Sequence, residues 1–324
     1  MPRRWSMQKA LAAALALVVI ILFGVACEGE AKAPVSPSPG ALEVASFPRV
    51  VRDMMGREVA IPARPQRVIA TSPTTTELVY VLGGEIVARV TSANYPPQVV
   101  PLPTIGSTYN PNWEAILAQK PDLIVADSVN QRQLIDRLTG LGVPVVMAGA
   151  ESFQDVLKAI EVVGKALGRD EEAQRAIKDL QDQRQSLLAY LPQGPGPRVL
   201  ILIADADGNI YAAKPNSYVG SLAQELRVQN PVAGLPDSGP FPGYTLLSPE
   251  LALQADPDVI LALSPAPPPA PKLSQLLPRL PGFGSLRAVK EGKVYELDLV
   301  LFLQSPGPRV VEAMRSMASM IYPQ

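Results

Sequence analysis

Two runs of alternating strand and helix patterns, separated by one long helical stretch, constrain the fold of this chain more than any other feature. In the first run, short apolar segments typical of buried strands lie at 68–71, 86–90, 123–126 and 145–148. Helical segments alternate with them at 73–82, 113–119 and 131–138. Strands that alternate with short helices pair in parallel, with helices on both faces of the sheet. This part of the sequence therefore predicts an α/β unit.

The long helical stretch covers 153–191, with one predicted interruption at Gly168-Arg169-Asp170. A second α/β run follows, and its strands and helices are predicted at 198–203, 218–226, 249–254, 259–263, 294–297 and 308–321. The sequence thus predicts a first α/β lobe over 48–152, a connecting helix over 153–192 and a second α/β lobe over 193–324.

The N-terminal segment has the features of an export signal. A basic start precedes an uncharged apolar stretch over 10–26, and Cys27 follows as the single cysteine of the chain. Cys27 and the small residues before it resemble a lipobox, although Gly24 departs from the usual leucine-type residue. We predict a signal peptide over 1–27, lipidation at Cys27 and a flexible tether over 28–47. A cleaved signal with an incidental cysteine and an uncleaved anchor are the alternatives.

The composition excludes several classes of function. The chain has no histidine, so it is neither a Ser-His-Asp hydrolase nor a zinc enzyme built on histidine ligands. A single cysteine excludes an intrachain disulfide. The 29 basic and 30 acidic residues leave no charge excess that would favour nucleic acid. With no phosphate-cradling glycine loop either, we expect a protein that is not an enzyme and holds no resident metal or cofactor.

A thirteen-residue pattern occurs twice, at 112–124 and at 248–260. In each copy a glutamate, Glu114 or Glu250, lies seven residues before a Pro-Asp pair that opens an apolar strand. The two copies fall at corresponding places in the two predicted lobes. Each copy predicts a short helix with an acid in its first turn, a tight turn and a buried strand.

Two interpretations of these glutamates are open. Asn112 and Ser248 are predicted N-caps, and an acid in the first helical turn is stabilised by the helix dipole by about 0.3–1 kcal/mol. That local role explains each glutamate alone. The duplication favours a second role, because two exposed and similarly placed carboxylates could dock a partner with two-fold symmetry.

Ordered motifs along 47–321 carry a resemblance to a known family. The segment 51–59 is similar to a V-x-D-x-x-G-R-x-V opening, and 65–77 resembles a P-x-R-I-V-x-x-x-P-x-x-T-E signature. Further matches lie at 95–98, 120–124, 288–295 and 307–309. Together they resemble the iron-siderophore and vitamin B12 class of periplasmic binding proteins.

The resemblance implies two Rossmann-like lobes joined by a single long connecting helix, with a ligand cleft between the lobes. It implies that Glu114 and Glu250 pair with arginines on the membrane subunits of an ABC importer, a permease dimer with ATPase subunits. It also implies an exported protein, lipid-anchored at the outer face of the cytoplasmic membrane or in the periplasm. Glu77, by contrast, is predicted to close a capping box with Thr74 and to have a structural role.

Ligands of open α/β sheets bind at strand ends and the loops that follow them. The polar and aromatic residues predicted there are Asn94, Tyr95, Tyr109, Asn110, Tyr211, Tyr218, Phe241, Tyr244 and Phe302. Ordinary packing is the alternative for each of them. Tyr109 is the strongest candidate, because the resemblance puts a ligand-stacking aromatic of vitamin B12 binders in its loop.

The identity of the ligand is open among three classes. Basic residues at the predicted cleft are few, namely Arg89, Lys214 and Arg309, whereas anionic ferric siderophores are often held by arginine or lysine. A corrinoid such as cobalamin suits a tyrosine, asparagine and phenylalanine lining better. A ferric siderophore and heme, the latter through a tyrosinate, are the alternatives. For the function itself, a two-lobed enzyme and an extracellular sensor are the remote alternatives.

Overall fold

The computed structural model describes residues 46–266 and 269–323. The predicted signal peptide, Cys27 and nearly all of the predicted tether lie outside the described residues. No helix in the described part of the chain is long and apolar enough to cross a membrane.

The first lobe contains an antiparallel hairpin and a parallel sheet of three strands with order β3-β4-β5. Its strands are β1 Arg49–Arg52, β2 Glu58–Ile61, β3 Val68–Ala70, β4 Leu123–Asp127 and β5 Val145–Ala148. Its helices are α1 Pro73–Val81, α2 Trp113–Ala118, α3 Ile135–Thr139 and α4 Phe153–Leu167. Every residue of β3, β4 and β5 is buried, as expected for a parallel sheet covered on both faces.

The strand predicted over 86–90 is wrong. This segment makes only isolated bridges, from Ile86 to Val68 and from Arg89 to Thr104. The segment that faces Arg89 contains Pro101 and Pro103, and proline has no backbone N–H to donate to a strand ladder. A continuous strand pairing therefore cannot form along this segment.

The predicted single connecting helix is two helices, α4 and α5 Asp170–Ala189. They meet at Gly168, whose φ is 66°, a left-handed conformation that glycine adopts without strain. The N–H of Arg169 donates to the Gly164 carbonyl at 2.8 Å and closes the end of α4. The interruption was predicted at this place, but the sequence left open that it ends one helix and begins another.

The two helices have different surroundings. Helix α4 packs against α1, β1 and β5 of the first lobe, whereas α5 packs against α4 and against the last helix of the chain. Arg184 of α5 forms an ion pair with Glu225 of the second lobe, and its guanidinium lies 5.1 Å from the centre of the Phe153 ring of α4. Helix α5 therefore contacts both lobes, while α4 is part of the first.

The second lobe is a mixed sheet of five strands with order β10-β9-β6-β7-β8. Its strands are β6 Val199–Ala204, β7 Ile210–Ala213, β8 Tyr244–Leu246, β9 Val259–Leu263 and β10 Val294–Glu296. Its helices are α6 Tyr218–Glu225, α7 Pro249–Ala255, α8 Leu273–Leu276, α9 Arg287–Lys290, the π-helix Val300–Gln304 and α10 Val310–Ile321. Strands β6, β9 and β10 are parallel, whereas β7 and β8, which were not predicted, are antiparallel to their neighbours.

The duplicated pattern corresponds to a duplicated local structure. In the first lobe the Arg67 guanidinium donates to the Gln119 carbonyl at the end of α2, at 2.8 and 2.6 Å. In the second lobe the Arg198 guanidinium donates to the Ala255 carbonyl at the end of α7, at 2.9 and 2.5 Å. Each arginine thus satisfies a carbonyl that the helix end leaves without a partner.

The aspartates of the two copies, Asp122 and Asp258, also make equivalent hydrogen bonds. A carboxylate oxygen of Asp122 accepts from the Arg67 N–H at 2.9 Å, and one of Asp258 accepts from the Arg198 N–H at 2.8 Å. The strands that follow pair in parallel with equivalent register in the two lobes, Val68 with Leu123 and Val199 with Val259. The two lobes therefore repeat one helix-turn-strand unit.

One cluster of buried apolar side chains continues from the first lobe to the second. It includes Val125 of β4, Phe153 of α4, Ile201 of β6 and Met314 of α10. Because burial of apolar surface is the main driving force for packing, a shared core favours a fixed arrangement of the two lobes.

Candidate ligand cleft

The carboxyl ends of the central strands in both lobes face a cavity of about 200 Å³. Ser72 follows β3, Asn130 follows β4 and Pro265 follows β9. The remaining lining residues are Pro73, Ser92, Thr108, Tyr109, Leu299, Leu303 and Gln304. This is the position at which open α/β sheets bind their ligands.

Two further cavities extend this one between the lobes. The first, of about 290 Å³, shares Pro73, Ser92 and Gln304 with it. The second, of about 340 Å³, shares Tyr95 and Arg309 with the first. We call these three connected cavities the interlobe cleft.

An apolar chamber lies beside the interlobe cleft in the second lobe. It has a volume of about 460 Å³ and lies at the carboxyl ends of β6 and β9. Leu263, Leu273, Leu276 and Pro265 contribute to its mainly apolar wall. Pro265 also lines the 200 Å³ cavity, so the chamber and the cleft are adjacent.

Three of the predicted ligand residues lie on the interlobe cleft. Tyr109 is 70% exposed and lines the 200 Å³ cavity, where its hydroxyl lies 3.5 Å from Asn130 Oδ1. Asn94 and Tyr95 line the adjoining 290 Å³ cavity. Asn110 is exposed in the same turn as Tyr109, and its backbone N–H donates to Ser107 Oγ, but it does not line the cavities described above.

The structure does not bring the remaining predicted aromatics to the cleft surface. Phe302 is 1% exposed and lies in the core. Tyr211 and Tyr244 are buried and flank Phe241, with ring centres 5.4 and 6.1 Å from it. Burial raises the pKa of Tyr244 to about 12. Periodicity located these residues near strand ends and loops, but it did not give the direction of their side chains.

Tyr218 lies on α6, at the contact between the lobes. Its hydroxyl is buried and has no hydrogen-bond partner among the described residues. Burial, and then the negative charge of Glu77, raise the pKa of Tyr218 above its ordinary value, against the opposing charge of Arg309. Tyr218 is thus a neutral phenol next to a buried ion pair, not an exposed ligand contact.

Glu77 has a different role from the predicted capping box. The N-cap of α1 is Ser72, whose hydroxyl accepts a hydrogen bond from the Thr75 N–H. The Thr75 hydroxyl in turn accepts one from the Ser72 N–H. Glu77 lies further along the helix, is 3% exposed and points at the second lobe. The capping box predicted for Thr74 and Glu77 is wrong, because Ser72 precedes the threonines and is itself the N-cap that bonds the free backbone N–H of Thr75.

Glu77 links the lobes through charge-assisted hydrogen bonds. Arg309 donates to its two carboxylate oxygens at 2.9 and 2.7 Å, and Ser305 Oγ donates at 2.7 Å. Burial opposes the charge on Arg309, yet the bonds to Glu77 raise the Arg309 pKa above its ordinary value. The guanidinium also lies 4.1 Å from the centre of the Tyr95 ring. Such a bidentate, nearly buried pair fixes the relative position of the groups that form it.

Tyr109 stays protonated at neutral pH. Although the residue as a whole is largely exposed, partial loss of solvent around the phenol, and then the negative charge of Asp127, raise the pKa of Tyr109. The ring therefore offers the cleft an uncharged aromatic face and a hydroxyl. Among the described residues, no group of three His, Cys, Asp or Glu side chains is arranged to hold a metal ion.

Glu114 and Glu250, the glutamates of the duplicated pattern, are exposed in the first turns of α2 and α7. The predicted N-caps are confirmed, because Asn112 Oδ1 accepts from the Ala115 N–H at 3.0 Å and Ser248 Oγ accepts from the Leu251 N–H at 3.2 Å. The same Ser248 hydroxyl lowers the pKa of Glu250. Both helices precede parallel strands, so their first turns lie towards the carboxyl ends of the sheets.

Several lining residues were not predicted from the sequence. Ser72, Asn130 and Pro265 lie two or three residues after buried strands, and the rule that ligands bind at strand ends could have found them. Leu299 and Gln304 belong to or adjoin the π-helix, for which the sequence gives no periodic signal.

Known proteins resemble this chain over most of its length. The family model described as "Periplasmic binding protein" matches residues 68–301. The uncharacterised ABC transporter substrate-binding lipoprotein YvrC of Bacillus subtilis is 26% identical over 321 residues, which cover 96% of each chain. The cobalamin-binding protein of Halobacterium salinarum is 24% identical over 314 residues, which cover 94% of this chain and 83% of that protein.

A solved structure resembles the fold along most of its length. The periplasmic heme-binding protein RhuT of Roseiflexus sp. RS-1, in its apo form, superposes with a TM-score of 0.68 at 25% sequence identity. The match covers 79% of this chain and 98% of RhuT.

Proposed function

This chain belongs to the periplasmic binding protein family, and we propose that, as the substrate-binding protein of an ABC transporter, it captures a corrinoid in the interlobe cleft. The family consists of binding proteins, so the site is assigned no catalytic step. The lining of the cleft supports the choice of ligand: uncharged hydroxyls and amides predominate, the exposed acids Asp298 and Glu312 add negative charge, and an apolar chamber adjoins them. Among the described residues that line the cleft, the one cation, Arg309, is paired with Glu77.

The polar groups of the cleft are mainly hydroxyls and amides. Ser72, Ser92, Asn94, Asn130 and Gln304 line it beside the neutral phenol of Tyr109. A corrinoid has a large apolar ring edged with neutral amides, which such groups can bind as donors and acceptors. The apolar chamber of about 460 Å³ adds room for hydrophobic surface.

The basic side chains considered for an anionic ligand are each engaged within the protein. Arg309 is bound to Glu77, and Lys214 forms an ion pair with Asp237. The Arg89 guanidinium donates to backbone carbonyls of its own loop, such as that of Thr91 at 3.1 Å. An anionic ferric siderophore would therefore lack a free cationic partner among the described residues that line the cleft, which disfavours it.

Heme is the second candidate, favoured by the likeness to RhuT and by the position of Tyr109 in the cleft. Coordination to iron would require Tyr109 to lose its proton. The raised pKa of Tyr109 opposes this, since Asp127 and burial both favour the neutral phenol. A stacking role under a corrinoid agrees better with this environment, and the likeness to the cobalamin-binding protein of Halobacterium salinarum supports the same ligand.

The proposal includes delivery to the membrane. Glu114 and Glu250 would dock the two equivalent halves of the permease, because they are exposed on the repeated helices and lie outside the cavities of the cleft. Rim charges of this kind set orientation and association rate more than affinity. Lipidation at Cys27 would hold the protein at the outer face of the membrane, and the name of the B. subtilis relative, a lipoprotein, supports it.

One spectroscopic experiment tests the ligand. The mature protein is incubated separately with cyanocobalamin, hemin and the anionic siderophore complex ferric enterobactin, then desalted, and its visible absorption is recorded. We expect the corrin spectrum to stay with the protein and the other two to be removed. Retention of hemin or ferric enterobactin with loss of cyanocobalamin would overturn the corrinoid assignment. The variant Tyr190→Ser, which changes an exposed aromatic at the end of α5, serves as the control for nonspecific binding.

A further inference from the structure

Gln131 is a fully buried amide behind the first-lobe side of the cleft. Its side-chain oxygen accepts from the Asp127 N–H at 2.9 Å and from the Thr71 hydroxyl. Its side-chain nitrogen donates to the Thr71 carbonyl at 3.1 Å and to the Thr108 carbonyl at 2.7 Å. Two donors and two acceptor sites are all that a glutamine amide has, so this amide is completely satisfied.

These four bonds join three separate segments of the chain. Thr71 follows β3, Thr108 lies in the loop that carries Tyr109, and Asp127 ends β4. Each segment contributes to the 200 Å³ cavity, through Ser72, through Thr108 itself with Tyr109, and through Asn130. One side chain therefore connects three of the segments that form the first-lobe side of this cavity, and Ser92 lies on a further one.

The Tyr109 loop depends on this amide for its attachment. The Thr108 hydroxyl is buried without a hydrogen-bond partner in the described part of the chain, so the bond from Gln131 to its carbonyl is the polar anchor beside Tyr109. The other backbone bonds of the loop are internal or lie at its start, such as Thr91 N–H to the Gly106 carbonyl at 2.9 Å. The Tyr109 hydroxyl adds one long contact, at 3.5 Å to Asn130 Oδ1. A buried network of this kind specifies one geometry only when all its members are satisfied.

We propose that Gln131 is a positioning residue that sets the geometry of the ligand surface in the first lobe, chiefly that of the Tyr109 loop. Gln131 does not line the cleft and is fully buried, so the proposal gives it no direct contact with a ligand. It acts through the Thr108 carbonyl and the turn that follows β4. Its effect on ligand binding rests on the proposed function, whereas its effect on the loop does not.

Hydrogen exchange measured by mass spectrometry tests the loop directly, without a ligand. In Gln131→Met the Thr108 carbonyl and the Asp127 N–H lose their buried partner. We expect peptides covering 105–112 to exchange about tenfold faster or more, while β5 in the same lobe keeps its protection. Should Gln131→Met fail to fold, Gln131→Glu keeps the shape of the side chain but cannot donate as a carboxylate, and the same acceleration is expected.

Two control variants separate positioning from general destabilisation. Gln133→Met removes an exposed glutamine from the same turn, whose amide bonds the Asn130 carbonyl, and should leave 105–112 unchanged. Leu138→Ala opens a cavity in the core cluster of the first lobe that also contains Ile105, but it removes none of the four bonds of Gln131. It should lower stability without a selective effect on 105–112. Equal exchange of this loop in Leu138→Ala and Gln131→Met, or no change in Gln131→Met, overturns the proposal.

Titration with cyanocobalamin then tests the consequence for binding. We expect affinity to fall by about tenfold or more in Gln131→Met and to stay unchanged in Gln133→Met and Leu138→Ala, all measured where the proteins are folded. Normal affinity in a variant with a loosened loop would refute the effect on binding. If the wild-type protein does not bind cyanocobalamin, the corrinoid assignment fails, and the exchange experiment still decides whether Gln131 holds the loop.

Discussion

Breaking the ion pair between Glu77 and Arg309 should destabilise the whole protein, because the pair joins the two lobes. Glu77 is 3% exposed and accepts three hydrogen bonds, two from Arg309 and one from Ser305. Arg309→Met would leave a buried carboxylate with only the Ser305 hydroxyl. Removal of one partner from a buried pair costs about 3–5 kcal/mol, since the remaining charge loses its compensation. We expect a loss of stability at the lower end of this range, because the Arg309 side chain is 18% exposed.

A double-mutant cycle isolates the pair from the packing of its side chains. Glu77→Leu combined with Arg309→Met removes both charges together, so the double variant should be more stable than Arg309→Met alone. A coupling free energy of about 2 kcal/mol or more is expected for two partners in direct contact. Urea unfolding followed by circular dichroism gives the free energies of unfolding for the four proteins.

The exposed pair of Lys293 and Glu291 supplies the matched control. The Lys293 and Glu291 side chains are 45% and 42% exposed, and their shortest contact, at 2.7 Å, equals that of the Arg309–Glu77 pair. Lys293→Met should cost about 0–1 kcal/mol, because solvent screens an exposed pair. If Arg309→Met costs no more than Lys293→Met, the pair does not stabilise the lobe contact, and the argument from burial is wrong.

Four further predictions follow from the site, the surface and the core. Tyr109→Ala should weaken cyanocobalamin binding by about 1–3 kcal/mol, by analogy with the loss of an aromatic stacking platform, without a change in the thermal transition; calorimetric titration measures it. Tyr244 has an ordinary pKa of 10.0 and a folded pKa of about 12, so its contribution is present below pH 10 and is lost as the pH rises towards 12. The loss amounts to roughly 3 kcal/mol, and unfolding curves of Tyr244→Phe over this range should fall less steeply than those of the wild type. The double variant Glu114→Ala/Glu250→Ala should bind ligand normally and lose transporter-mediated uptake, with glutamate-to-lysine changes worse than alanine; full uptake would reduce both residues to helix-start acids. Cys27→Ser should release the protein from the membrane fraction, and an unchanged distribution would rule out the lipid anchor.

The parts of the fold that depend on local sequence were predicted well. Asn112 and Ser248 cap their helices as expected, and the strands that begin at Leu123 and Val259 are buried along their length. Caps, helix-starting acids and apolar strand runs act within a few residues, so the pattern contains what is needed to predict them. The repetition of the pattern also predicted that the lobes would share a local structure.

The parts that depend on distant neighbours were not predictable in the same way. The segment 86–90 has the composition of a strand, but its pairing fails because the facing segment contains prolines. Glu77 has the spacing of a capping residue, but its partners Ser305 and Arg309 are more than 200 residues away along the chain. No local pattern distinguishes a carboxylate that caps a helix from one that reaches another lobe.

The candidate site shows which kind of sequence signal identifies a ligand surface. Selecting aromatic residues near strand ends found Tyr109 and Tyr95, but it also selected Tyr244 and Phe302, whose rings are buried. Aromatic side chains bury large apolar areas, so most positions next to a sheet use them for packing. The residue directly after a buried parallel strand is constrained differently, because the strand direction alone brings it to the cleft edge. Topology therefore identifies the segments that form this surface, while the orientation of each segment depends on buried polar contacts such as those of Gln131, which neither composition nor periodicity reveals.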